Sequence, residues 1–205
     1  MKQFVLLFVV TFYCGQTIAQ SNWQLFKNQQ NPLKKWALLH PFKAKKAFEI
    51  SLEVNKVSDS LSKLNVLDGD KAGGQIDAFR HAYWMARLQS ELGKSAARSL
   101  GKAYERSNYK SYKKNEKEDA IIPDKKSSEM DLFNNDIGLD FSKKNDGRSI
   151  VGLQYKIINA ILFGKLKIIK KDNEGQFLTC KGEVITLEQL KKWKNNKCLV
   201  ESNYN

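Results

Sequence analysis

A chain of 205 residues with 35 Lys and Arg against 22 Asp and Glu carries a formal charge of +13. Its length fits one domain with a substantial core. Only Arg80, Arg87, Arg98, Arg106 and Arg148 are arginines, the residue suited to bidentate phosphate contacts, and the lysines that follow Lys2 are scattered from Lys27 to Lys197. The charge therefore reads as a lysine-rich surface, and nucleic acid is not the expected partner.

Residues 1–19 combine the three features that export machinery reads: a positive start at Lys2, an apolar run over 4–12, and the small residues of Thr17-Ile18-Ala19 at the cleavage positions. The run is shorter than the roughly 20 apolar residues a permanent membrane helix needs. Cleavage is expected to leave a single soluble domain, 20–205, exported to the periplasm or secreted, with no transmembrane segment. Phe12 and Tyr13 stand where a lipidation site would carry small residues, so Cys14 leaves with the peptide. Cys180 and Cys198 remain, and an even count in an exported chain favours a disulfide over two separate buried thiols.

An amphiphilic lead-in around Trp23 to Trp36 is interrupted at Pro41, and a helical pattern follows over 43–64 with Phe48, Leu52, Val57 and Leu61 as its apolar positions. Residues 68–74 form a turn. The clearest helix runs over 75–92 and stops at Gly93. A second, over 95–107, should fold back on it as a helical hairpin. The stretch 108–128 is dominated by Lys, Glu, Asp, Asn and Ser and reads as a long loop. Helical pattern resumes over 129–143 and 149–163. A β-hairpin is expected from 166–169 and 176–179, then a short Thr-capped helix over 186–195. The fold class is mainly α: a compact helical domain with a small C-terminal β-hairpin and short helix, the β/α element spanning about 165–200.

Chemistry concentrates on two of these helices. Asp77, Arg80, His81 and Trp84 stand at relative positions zero, three, four and seven, the spacing of one helix face. They fall on the apolar stripe with Leu88, Met85 and Leu92 beside it, where polar groups are costly unless satisfied. Asp131, Asn134, Asn135 and Gly138 repeat the spacing, with Met130, Phe133, Ile137 and Phe141 alongside as anchors. The two stripes are expected to face each other, Gly138 admitting a close helix or a bulky ring and Glu105 contributing from the helix between. One imidazole among carboxylates and amides suits a divalent metal ion held by His81, Glu105, Asp131 and Asn135. It equally suits acid/base chemistry, with Asp77 orienting His81, Glu105 as a partner and Arg80 meeting negative charge. Asn134 and Trp84 would then contact substrate. The alternative is a buried polar network that only fixes helix register.

The segments Ala78-Phe79-Arg80-His81-Ala82-Tyr83-Trp84, Ala103-Tyr104-Glu105 and Met130-Asp131-Leu132-Phe133-Asn134-Asn135-Asp136-Ile137-Gly138 together resemble a bacterial domain family of unknown function, marked by AFRHAYW and MDLxNNxxG. The resemblance covers about 74–140. It implies a shared helical core and polar cluster, in a family of small exported proteins and of C-terminal domains in larger, toxin-like secreted proteins. That family usually carries His-Glu where Tyr104-Glu105 stands here, so one imidazole is missing. The stretch 197–200 is similar to one in exported proteins of the Bacteroidetes type. Two functions follow: an exported hydrolase, metal-assisted or His-based, acting on an envelope or extracellular substrate, or a non-catalytic exported module binding an anionic envelope component.

Overall fold

Proline begins two helices of this fold. The computed structural model describes residues 27, 29–114, 122–147 and 149–204. Pro32 lies in the first turn of α1 (Asn31–Leu39) and Pro41 in that of α2 (Pro41–Leu61). Its fixed φ suits that turn, where its missing N–H has no intrahelical role. The expected break at Pro41 is thus a helix start. The expected signal segment, 1–19, and the beginning of the lead-in lie outside the described residues.

α3 (Gln75–Leu92) ends at Gly93, whose φ of 87° permits the turn into α4 (Lys94–Lys113). Buried on nearly every side, α3 is the axis around which α2, α4, α5 (Lys125–Asp140) and α6 (Ile150–Leu162) pack. Phe79, Tyr83, Met85 and Leu88 fill the centre without exposure. α2 presents Ala47, Ile50, Val54, Ser58 and Leu61 to it. Of the four positions expected to face inward, only Leu61 is buried, while Leu52 points to solvent.

The expected loop over 108–128 is helical at both ends. α4 runs to Lys113 because Tyr109 and Tyr112 pack on Trp193, with ring centroids 4.8 and 5.2 Å away. α5 starts at Lys125, where Asp124 accepts from the Lys126 and Ser127 amides. Residues 115–121 lie outside the described ones.

At the C-terminal end β1 (Lys167–Ile169) pairs antiparallel with β2 (Leu199–Glu201), Ile168 opposite Val200. The expected partner, 176–179, contributes only the bridges Lys171 to Phe177 and Leu178 to Val184. Ile169, Phe177 and Ile185 bury with Met130 as a second cluster, against which Leu199 packs. This burial of the C-terminal segment explains the choice of β2. α7 (Leu187–Leu190) is shorter than its expected 186–195 but keeps its capping box between Thr186 and Gln189. Cys180 and Cys198 lie at disulfide distance, with Cα atoms 4.8 Å apart. No helix among the described residues is long and apolar enough to cross a membrane.

Candidate functional site

The site exists because two helices meet backbone to backbone. A Cβ at Gly138 of α5 would stand 2.7 Å from Ala82 Cα of α3, so only glycine allows this crossing. Ser142 Oγ donates to Ala86 O at 2.6 Å, and Gln89 donates to Leu139 O at 2.7 Å. These bonds fix the two helices at the far end of the contact. The close helix anticipated from the missing side chain is present.

On the N-terminal side of the crossing on each helix, the polar stripes face one another. His81 Nε2 lies 3.3 Å from Asp131 Oδ1 and 3.6 Å from Asp77 Oδ1. One ligand atom from each of Asp77, His81 and Asp131 lies within 4.8 Å of the others, and all three residues are buried. On the other edge of the ring, His81 Nδ1 meets Asn135 Oδ1 at 3.2 Å. With the Asn135 amide oxygen toward the ring, Nδ1 carries the proton and Nε2 turns its lone pair to the carboxylates; with the amide turned over, the proton sits on Nε2, facing Asp131. Burial, reinforced by the Arg80 charge and opposed by Asp77 and Asn135, lowers the His81 pKa to about 4. The ring is neutral at pH 7.

Asp77 is held from both sides. The Gly73 N–H donates to its Oδ2 at 2.8 Å and Arg80 Nη2 to its Oδ1 at 2.6 Å. The turn that supplies Gly73 is tied down in turn: Ile169 N–H donates to Gly73 O at 2.7 Å, and Lys171 bonds Ala72 O at 2.9 Å as well as the Asp70 carboxylate. Burial raises the pKa of Asp68 in the same turn, despite backbone N–H groups from Gln75 and Asp70.

The remaining expected residues separate by position. Asn134 points the other way, its amide bonding both the N–H and the C=O of Lys167 at 2.9 Å. It clamps β1 to α5, away from the cluster. Glu105 is buried and accepts from Asn108 at 3.4 Å, but is not part of the close group of ligand atoms. It lines a separate groove with Ser128, Leu132 and Trp193. Trp84 donates to Ser51 Oγ at 3.0 Å and packs edge-on against Tyr104, centroids 5.5 Å apart. Tyr104 also meets the His81 ring edge-on at 6.3 Å, so the residue standing where the resembled family was expected to carry histidine touches the cluster.

Two buried groups went unread in the sequence. Arg87 makes a fork to Glu53 with both bonds at 2.9 Å, and Tyr83 donates to the same carboxylate at 2.7 Å. Its burial, with the negative charge of Glu53, pushes the Tyr83 hydroxyl up to about 12. An arginine in so apolar a helix was the available signal. Lys197 and Asp124 form a second pair at 2.6 Å, each about 1% exposed.

A family model for a domain of unknown function (DUF6973) matches residues 34–167, reaching beyond the segments that carried the sequence resemblance on both sides. No curated protein and no solved structure matches the chain.

Proposed function

The chain belongs to the family of this domain of unknown function, DUF6973, and we propose that Asp77, His81 and Asp131 hold a divalent cation for hydrolysis outside the cytoplasm. The observation that carries this reading is the convergence of His81 Nε2 with one carboxylate oxygen each from Asp77 and Asp131. With Nδ1 against Asn135, Nε2 and two carboxylate oxygens converge on one point, where a divalent cation would add to the positive charge that Arg80 brings to Asp77. A hydrogen bond on the far ring nitrogen is the usual support for a metal-binding imidazole. An ion about 2.1 Å from each donor would place neighbouring donors about 3.0 Å apart and opposite ones about 4.2 Å apart. The observed 3.3 and 3.6 Å separations need only small adjustment.

The bound ion would supply an activated water. Arg80, on the edge of the cluster, would meet the negative charge that develops during hydrolysis, and Asn135 would keep the imidazole aligned. Glu105, outside the group, is not a ligand in this scheme. The export signal in the sequence and the cysteine pair support an extracytoplasmic setting.

One observation favours a second reading, an architectural network in a binding module for an anionic envelope component. Arg80 already balances Asp77 at 2.6 Å. Elemental analysis of purified protein after equilibration with Mn²⁺, Zn²⁺ or Mg²⁺ separates the two. The cation reading expects one equivalent of metal, lost in His81→Ala and in Asp131→Asn with both variants still folded. No bound metal, with both variants unfolded, would establish the network instead.

A further inference from the structure

α1 and α2 meet at a corner with a single residue, His40, between them. Leu38 and Leu39 end the first helix and Phe42 lies in the first turn of the second; their side chains are 72%, 68% and 98% exposed. Single exposed apolar residues are ordinary on a protein surface. Three large ones within the stretch 38–42, the last almost wholly in water, form an apolar prong. The helices on either side hold it rigidly. Trp36 is buried and donates to Ser99 Oγ of α4 at 2.8 Å, and the His40 ring stacks on it at 4.5 Å while its Nδ1 donates to Trp36 O at 2.9 Å. On the α2 side Lys43 donates to Leu92 O at the end of α3 at 3.2 Å, and Ala47 and Ile50 are buried.

The collar of this prong is cationic. Lys34, Lys35, Lys43, Lys45 and Lys46 fall within 34–46, a stretch that contains no Asp or Glu. Two carboxylates approach from beyond it, Glu49 at 4.0 Å from Lys45 and Glu91 at 3.8 Å from Lys46. Both pairs are long and solvated, so they bind their charges weakly. Lys34 and Lys35 have no ion pair among the described residues. An apolar prong with a lysine collar complements an anionic bilayer: the acyl boundary accepts the side chains and the headgroups accept the ammonium ions. Lysine suits that position because its long stem lies along apolar material while its charge stays in water.

We infer that the corner between α1 and α2 docks on anionic lipid bilayers, with Leu38, Leu39 and Phe42 entering the acyl boundary and the lysines of 34–46 resting on the headgroups. The contact is peripheral, made by side chains at a corner of the fold. It shares no residue with the cluster of Asp77, His81 and Asp131, and goes beyond the cation reading without resting on it.

The test is flotation of the purified chain with vesicles of phosphatidylglycerol, against vesicles of phosphatidylcholine. The native chain should float with the first, less so at high salt, and not with the second. Phe42→Ser should weaken that binding at least about tenfold, the worth of immersing one large apolar side chain, with its melting temperature unchanged. Lys34→Gln combined with Lys35→Gln should also weaken it about tenfold. Phe42→Trp should keep the binding and show emission that brominated acyl chains quench beyond the quenching seen in the native chain. Any apolar stretch common to these variants contributes equally to all of them, so the differences belong to the corner. Equal flotation of the native chain and Phe42→Ser, or flotation of neither, overturns the inference. A dimer that light scattering finds in the native chain and not in Phe42→Ser, without flotation, assigns the corner to contact between copies instead. A chain that floats through Phe42 yet retains no metal removes the cation reading alone.

Discussion

An imidazole closed off from water and set beside Arg80 holds a proton poorly, which is why His81 titrates at about 4 where a solvated histidine does so near 6.5. Between those values the unfolded chain takes up a proton that the folded chain refuses. Stability is therefore full above pH 6.5 and falls as pH drops toward 4, by roughly 3 kcal/mol from this group. Urea midpoints of the metal-free protein should show that fall, with a shallower one in His81→Gln. Carboxylate titrations are common to both, so equal slopes would mean that His81 is charged in the fold. The pairs Asp77 with His81 and Asp131 with Asn135 were legible because four residues make one helical turn. Asn134 and Asn135 could not both reach the cluster, since consecutive residues point about 100° apart. Which one did depended on the position of β1. Glu105 was harder still, because its own helix says nothing about its rotation relative to two others.

Contact between elements depends most on the crossing of α3 and α5. Gly138→Ala would drive a methyl group into the backbone at Ala82, where no rotamer offers escape, and overpacking of this kind costs about 3 kcal/mol. The shift should also part Asp131 from His81. A lowered urea midpoint together with lost metal retention is the expected result, and an unchanged midpoint would mean that the crossing is looser than described. The glycine was readable from its place in the stripe, as was the end of α3 from Gly93. The buried face of α2 was not. Its apolar residues spread over more than one stripe, and α3 selected Ile50 and Val54 over Leu52. Likewise the polar composition over 108–113 suggested a loop, but Trp193, about eighty positions away, gives Tyr109 and Tyr112 a surface to pack on. Local sequence holds no record of such a partner.

Across the whole molecule, the C-terminal segment reaches the site through a chain of contacts. Cys198, paired with Cys180, adjoins Lys197, whose ammonium ion lies over the Phe177 ring at 3.9 Å and bonds the Asp124 carboxylate at 2.6 Å. That carboxylate caps α5, the helix that carries Asp131. The cysteine pairing was anticipated from the even count, but the role of Lys197 was hidden among many lysines. A disulfide across 18 residues should contribute about 3 kcal/mol by restricting the unfolded chain. In addition, reduction releases the segment that holds Lys197 over the cap. Reduced protein, or Cys180→Ser with Cys198→Ser, should thus show faster amide hydrogen exchange at Lys126 and Ser127 while the amides in the middle of α3 stay protected. Lys197→Met removes the ion pair without the disulfide and leaves the Asp124 charge buried, a loss of about 3–5 kcal/mol. The same exchange pattern in both proteins would show that the disulfide acts on α5 through Lys197. Slow exchange at the cap after reduction, with fast exchange in Lys197→Met, would show that the ion pair holds the helix without help from the disulfide.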